Sequence, residues 1–180
     1  VVTDTPDPMP SSVEPVVPSA LDLRLAAARA ALEGVTDPEL PFLTIADIGI
    51  LRDVRLDGAT VEIVITPTYS GCPAMDVIGV DIATAMARAG IADYRLTRVL
   101  SPAWTTDWLT TAARNKLAAN GIAPPVRAAG KRALFAPETV ACPNCSSTRT
   151  TLVSEFGSTA CKAQWRCESC REPFAYFKCI

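Results

Sequence analysis

The chain has 180 residues, 49% of them hydrophobic, and a formal net charge of −2. That is enough for one ordinary domain with a proper core plus a small module, and it gives no general reason to bind nucleic acid or a bilayer surface. It contains no histidine, which excludes Ser-His-Asp and Cys-His catalysis, His-containing zinc or non-haem iron sites, and the Glu-x-x-His pairs of di-iron bundles. Neither G-x-x-x-x-G-K-[ST] nor G-x-G-x-x-G occurs, so no phosphate-cradling loop announces a nucleotide. Cysteine chemistry remains, from seven cysteines.

Residues 1–18 are rich in proline, with scattered apolar residues that form no face, and read as a disordered tail. This stretch lacks the basic start and apolar centre of a secretory signal. No apolar run approaches the roughly 20 residues needed to cross a bilayer. A cytoplasmic setting with reduced thiols is expected. Ser19 caps an expected helix with Leu21, Leu25, Ala28 and Leu32 on one stripe, ending at Gly34. "TDPELPFLTIADIG" follows, and its two prolines forbid regular helix.

Next come two β-rich runs, "IGILRDVRL" and "TVEIVIT", with Asp57-Gly58 between them as a hairpin signal. In the second run Val61, Ile63 and Ile65 share a face. From Pro73 the period becomes helical, with Met75, Ile78, Ile82, Ala85 and Ala89 on one side as far as Gly90. "DYRLTRVL" reads as a third strand, and Thr105 or Thr106 as the cap of a last helix running to Gly121. The order α-β-β-α-β-α gives an α+β domain over residues 19–122, a small mixed three-stranded sheet packed with helices.

Residues 123–138 break both periods and read as a linker. From Val126 onward 8 basic residues stand against 4 acidic, a formal +4, while the remainder carries −6. The tail, residues 139–180, is therefore expected to be a separate, mildly basic unit. It holds two C-x-x-C pairs, Cys142/Cys145 and Cys167/Cys170, with β-prone sequence between them. Two such knuckles place four thiolates about 2.3 Å from a tetrahedral Zn²⁺. The tail has too few apolar residues for an independent core, so the metal supplies much of its folding energy. Iron is held by similar knuckles in rubredoxin, which leaves the metal's identity open. The position after each second cysteine is often glycine; here it is Ser146 and Arg171. Cys161 and Cys179 are left over and read as small buried or partly exposed thiols.

Cys72, in "TPTYSGCPAM", is the only cysteine before Cys142. It sits where a strand ends and a helix begins, so helix amides are expected to favour its thiolate. A buried packing residue is the alternative. Asp37 and Glu39, beside Pro38, are either oxygen ligands near Cys72 or turn formers.

These residues carry a resemblance. The acidic-proline loop Asp37-Pro38-Glu39, the hairpin, and Thr-x-x-x-Cys-Pro from Thr68 to Pro73 resemble the domain shared by SufT-like bacterial proteins and eukaryotic factors that mature iron–sulfur proteins. With the ending "FGSTACKAQWRCESCREPFAYFKCI", the chain from about Leu21 is similar to the PaaD family encoded with the phenylacetyl-CoA epoxidase. The resemblance implies a non-catalytic maturation factor for that multicomponent oxygenase of phenylacetate catabolism. It would assemble or insert an iron–sulfur or iron centre, through Cys72 with Asp37, Glu39 and Thr68. A lone cysteine cannot hold a cluster, so a dimer mate, a partner's thiol or an external thiol is expected to complete the site. The expected client is the ferredoxin-type reductase subunit, with a transient cluster on this chain and Zn²⁺ in the tail. An electron-transfer subunit with iron in the four-cysteine site is the alternative.

Overall fold

The computed structural model describes residues 18–125 and 139–178. The expected tail (all but residue 18), residues 126–138 of the expected linker, and Cys179 lie outside the described residues. Helix α1 (Ala20–Leu32) begins with a capping box in which Ser19 and Asp22 exchange hydrogen bonds. Its buried face is Ala28 and Leu32, with Leu25 partly buried; Leu21 is exposed. The expected stripe is thus one turn shorter. Gly34 is not left-handed, and the helix ends through Glu33, whose amide donates to the Arg29 carbonyl.

The hairpin pairs β1 (Leu51–Asp57) antiparallel with β2 (Thr60–Ile65), and Gly58 in the turn has φ of 61°. After α2 (Ala74–Arg88) the chain returns as β3 (Tyr94–Arg98), parallel to β2. The sheet order β1-β2-β3 makes it mixed, as expected. Alternation on β2 separates two faces. Val61, Ile63 and Ile65 enter the core with Ile78, Ile82 and Met86 of α2 and Leu32 of α1. On the other face Glu62 meets Arg55 on one neighbouring strand at 2.7 Å and Arg95 on the other at 3.3 Å.

The last helix of this domain, α3 (Thr111–Ala119), is capped by Thr110; Thr105 caps a short 3-10 turn, Thr106–Trp108, just before it. The sequence suggested Thr105 or Thr106 for the α-helix itself. One extra turn intervenes because the 3-10 segment wraps Gly49, whose φ is 77°. A Cβ there would stand 2.7 Å from the Trp108 Cβ, so glycine is required on both counts.

The cysteine-rich segment forms β5 (Thr150–Ser154), β6 (Lys162–Cys167) and β7 (Pro173–Phe177), paired antiparallel in sequence order. A fourth strand comes from the other side of the supposed boundary. β4 (Ile122–Ala123) runs parallel to β7, with Ile122 opposite Ala175 and Ala123 opposite Tyr176. The order of this second sheet is β4-β7-β6-β5. Phe177 and Cys161 are buried in the same cluster as Ile63 and Leu32, and Phe177 meets Trp104 edge-to-face at 6.2 Å. The ribbon is therefore docked on the first domain through shared strand pairing and a shared core. Among the described residues no helix is long and apolar enough to cross a membrane.

Candidate metal and thiol sites

Each ribbon knuckle is a tight turn that points two sulfurs inward. In the first, the Ser146 amide donates to the Cys142 carbonyl at 2.9 Å; in the second, the Cys167 amide donates to the Glu172 carbonyl at 3.0 Å. The knuckles are tied together outside the sulfurs, where the Ser147 and Ser169 hydroxyls meet at 2.7 Å and Arg149 donates to Ser169. The sulfurs of Cys142 and Cys170 are 3.7 Å apart and those of Cys145 and Cys167 3.5 Å. All four lie within 4.8 Å of one another. A tetrahedral ion with metal–sulfur bonds of about 2.3 Å needs sulfur–sulfur edges of about 3.8 Å. The four cysteines thus make a metal-binding site. No other group of three or more Cys, His, Asp or Glu among the described residues is gathered so closely.

The residues that replaced the expected glycines explain why glycine is common there. Ser146 has φ of 60° and Arg171 φ of 66°, both left-handed. Each knuckle needs that conformation immediately after its second cysteine, and a side chain there carries strain.

Electrostatics in the ribbon favours one thiolate at the expense of its neighbour. Cys167 is lowered to about 6, first by the Cys170 amide and then, against burial, by the Ser169 amide, which lies 3.4 Å from its sulfur. For Cys170 the Glu172 amide favours the thiolate. Burial and the sulfurs of Cys167, Cys145 and Cys142 outweigh it and push Cys170 up to about 12. Four crowded sulfurs cannot all ionise by themselves, and a cation of charge two removes the conflict.

The second site is built on two loops of the first domain. The segment after β2 passes through buried Thr66 and Thr68, and the Cys72 amide closes a turn on the Tyr69 carbonyl at 3.1 Å. Cys72 is half-buried. Beside it runs the loop 36–44, pinched by a Thr36–Thr44 bridge. Within that loop one oxygen of Asp37 accepts the amides of Glu39 and Leu40 at 2.8 and 2.9 Å. Asp37 is itself buried, so its visible work is to shape the turn. Glu39 extends from that turn, and its Oε2 accepts a hydrogen bond from the Cys161 thiol at 3.7 Å.

Cys161, left over in the sequence reading, therefore belongs here. It is buried, as expected of a leftover thiol, yet its neighbours are polar. Its sulfur also lies 3.0 Å from the Thr159 hydroxyl. The sequence carried no signal for this placement, because it depends on the β4–β7 pair and on Phe177 entering the first domain's core.

The thiolate expected at Cys72 is not what the surroundings favour. Burial pushes the thiol up; the Ala74 amide and the Thr68 hydroxyl lower it, but the charges of Glu39 and Asp37 raise it again. Helix amides do act on Cys72, as expected, and are outweighed. Burial likewise pushes Cys161 up, against its hydrogen bond with Thr159. Asp37 is raised by burial despite its two amides. Tyr69, also raised by burial first, feels the charges of Cys72, Cys161 and Glu39 and hydrogen-bonds with Cys72. Tyr69 thus lies within the electrostatic reach of two thiols and a carboxylate.

Residues 25–93 match the iron–sulfur cluster assembly protein family, and residues 127–178 match the PaaD zinc beta ribbon domain. The chain is 51% identical over 151 residues to a putative 1,2-phenylacetyl-CoA epoxidase subunit of Escherichia coli K12, covering 84% of this chain and 90% of that protein. Among solved structures, a domain of unknown function (DUF59) from Bacillus anthracis aligns with a TM-score of 0.48 and 26% identity, covering 53% of this chain and 92% of that one. A conserved hypothetical protein from Thermotoga maritima aligns with a TM-score of 0.44 and 26% identity, covering 51% and 91%. On the strength of that identity along nearly the whole of the Escherichia coli protein, and of the two family matches in the same order, the chain belongs to the PaaD family of phenylacetyl-CoA epoxidase subunits.

Proposed function

We propose that this chain is a non-catalytic maturation factor that hands an iron–sulfur or iron centre to the phenylacetyl-CoA epoxidase system, with Cys72 as the transferring thiol. One observation carries the reading. In the segment matching the iron–sulfur assembly family, a half-buried thiol stands on a strand-to-helix loop, hydrogen-bonded by Thr68 and Tyr69 and within the field of Asp37 and Glu39. A pure packing cysteine has no use for that polar surrounding. Chemistry also supports it: a thiol that stays protonated until metal arrives resists adventitious oxidation and binds by releasing its proton.

Glu39 supplies an oxygen ligand, Asp37 fixes the turn that presents it, and Thr68 orients the sulfur. The ribbon holds a structural Zn²⁺ through Cys142, Cys145, Cys167 and Cys170, the ion that most often occupies closed four-thiolate sites. The client is the ferredoxin-type reductase subunit, since it is the oxygenase component expected to carry a cluster, and the setting is cytoplasmic. The test compares cells carrying wild-type protein with cells carrying Cys72→Ser. The mutant is expected to fold and keep its zinc while the reductase loses most of its cluster iron. A reductase equally rich in iron in both strains would sink the reading.

A further inference from the structure

Cys72 alone cannot hold a cluster, and the surroundings of Cys161 supply what is missing. Cys161 lies at the start of β6 in the ribbon, yet its buried sulfur touches Glu39 of the first domain at 3.7 Å. Cys72 packs against the same core cluster that contains Cys161. Tyr69 hydrogen-bonds with Cys72 and feels the charges of Cys161 and Glu39. Lys162, also buried, adds a positive charge close to Cys161 and Asp37. Two thiols, one carboxylate and a phenol are a donor set for a thiophilic divalent metal, and soft sulfur beside harder oxygen suits ferrous iron.

We propose that Cys72 and Cys161, with Glu39, form a second metal-binding site that spans the two domains and takes ferrous iron, free or as the exposed iron of a cluster. This rests on the reading of Cys72 as the transferring thiol, and it identifies the second thiol as one from the same chain. Binding is an exchange without redox change: each thiol gives a proton to water, and each sulfur donates an electron pair to iron. Unlike the ribbon cysteines, these donors are not gathered within 4.8 Å of one another. The ribbon thereby acquires a task beyond its own metal, since docking through β4 and Phe177 is what holds Cys161 against Glu39.

The test uses the full zinc-loaded chain under anaerobic conditions. It is titrated in one arm with ferrous iron and in another with a glutathione-coordinated [2Fe–2S] complex, following thiolate-to-iron charge-transfer absorption. Wild type is expected to take up iron, in one arm or both, beyond the ribbon metal. Cys72→Ser and Cys161→Ala are each expected to bind about tenfold more weakly or worse, and the double variant no more weakly than the worse single one. Retained zinc and unchanged circular dichroism show that each variant is folded. If Cys161→Ala disturbs the fold, wild type alone decides: iron must protect Cys72 and Cys161 together from alkylation, read by mass spectrometry. Loss in Cys72→Ser with normal binding in Cys161→Ala, or protection of Cys72 alone, overturns the paired site and leaves the transfer reading intact. Wild type that binds in neither arm overturns both.

Discussion

The two cysteine sites differ in how their donors are spaced and in what the surroundings do to the thiols. In the ribbon the four sulfurs stand at tetrahedral spacing, and backbone amides lower Cys167 to about 6. Around Cys72 and Cys161, burial and neighbouring carboxylates keep both thiols protonated and the donors apart. A site whose four donors already stand at tetrahedral spacing suits a permanent ion; thiols that must first give up their protons bind on terms that pH can reverse. In our proposal the permanent site supports the reversible one. The structure provides the connection in β4–β7 and the Phe177–Trp104 contact.

Removing one ribbon ligand should break the comparison most severely. Structural zinc in small ribbons contributes about 10–16 kcal/mol of apparent binding energy that is also folding energy. Cys145→Ser is expected to lose the ribbon metal and unfold residues 139–178, while α1, α2 and the first sheet persist with lower stability. Metal analysis and amide exchange check this. A mutant that keeps one firmly bound metal and an unchanged melting profile would refute the four-cysteine assignment.

A smaller break leaves the metal in place and cuts the connection. Phe177 is buried against Trp104 in the first domain's core, so Phe177→Ala should cost about 3–5 kcal/mol. If the two domains are coupled as described, zinc content stays whole while alkylation of Cys161 accelerates sharply. Slow alkylation in the variant would mean that Cys161 is sheltered by the ribbon alone.

How much of this was legible in the sequence follows from the range of the interactions concerned. The hairpin at Asp57-Gly58, the apolar side of α2 and the paired knuckles were readable, because each is fixed by neighbours within a few residues. Glu39 reads from the sequence as an oxygen ligand near Cys72 or as a turn former; the thiol it touches is Cys161. The misses are long-range. Cys161 looked spare because 122 residues separate it from Glu39, and Ile122–Ala123 is too short to show a strand period. The thiolate expected at Cys72 failed for a different reason. The local helix-amide effect was correctly identified, but burial and the field of Glu39 and Asp37 are tertiary quantities.

The electrostatic side of the comparison can be sharpened by pH. A raised folded-state thiol favours the protonated form; any stability it contributes is complete below the ordinary thiol value near 8.5 and is lost as pH rises through the raised one. Alkylation of Cys72 in the metal-free site should therefore rise at more alkaline pH than in a short peptide. Glu39→Gln removes one of the charges that raise it and should move the profile toward acid. An unmoved profile would mean that burial alone governs Cys72 and that Glu39 serves only Cys161.

The smallest expected effect concerns the strain stored in the permanent site. Ser146 and Arg171 hold left-handed backbone, which costs an ordinary residue about 1–2 kcal/mol. Glycine removes that cost but loses about 0.5–1 kcal/mol through its greater freedom in the unfolded chain. The first outweighs the second only modestly, so Ser146→Gly and Arg171→Gly should each stabilise the ribbon by a few tenths of a kcal/mol up to about 1.5. Ser146→Val separates the contributions: a β-branched residue tolerates positive φ poorly and should weaken the ribbon by more than glycine strengthens it. Because ribbon folding and metal binding are one equilibrium, a chelator competition reads both changes as zinc affinity, with 1.4 kcal/mol appearing as about tenfold. The expected order is glycine tightest, serine next, valine weakest. The reverse order for glycine and serine would show that the Ser146 side chain contributes more than its backbone strain costs.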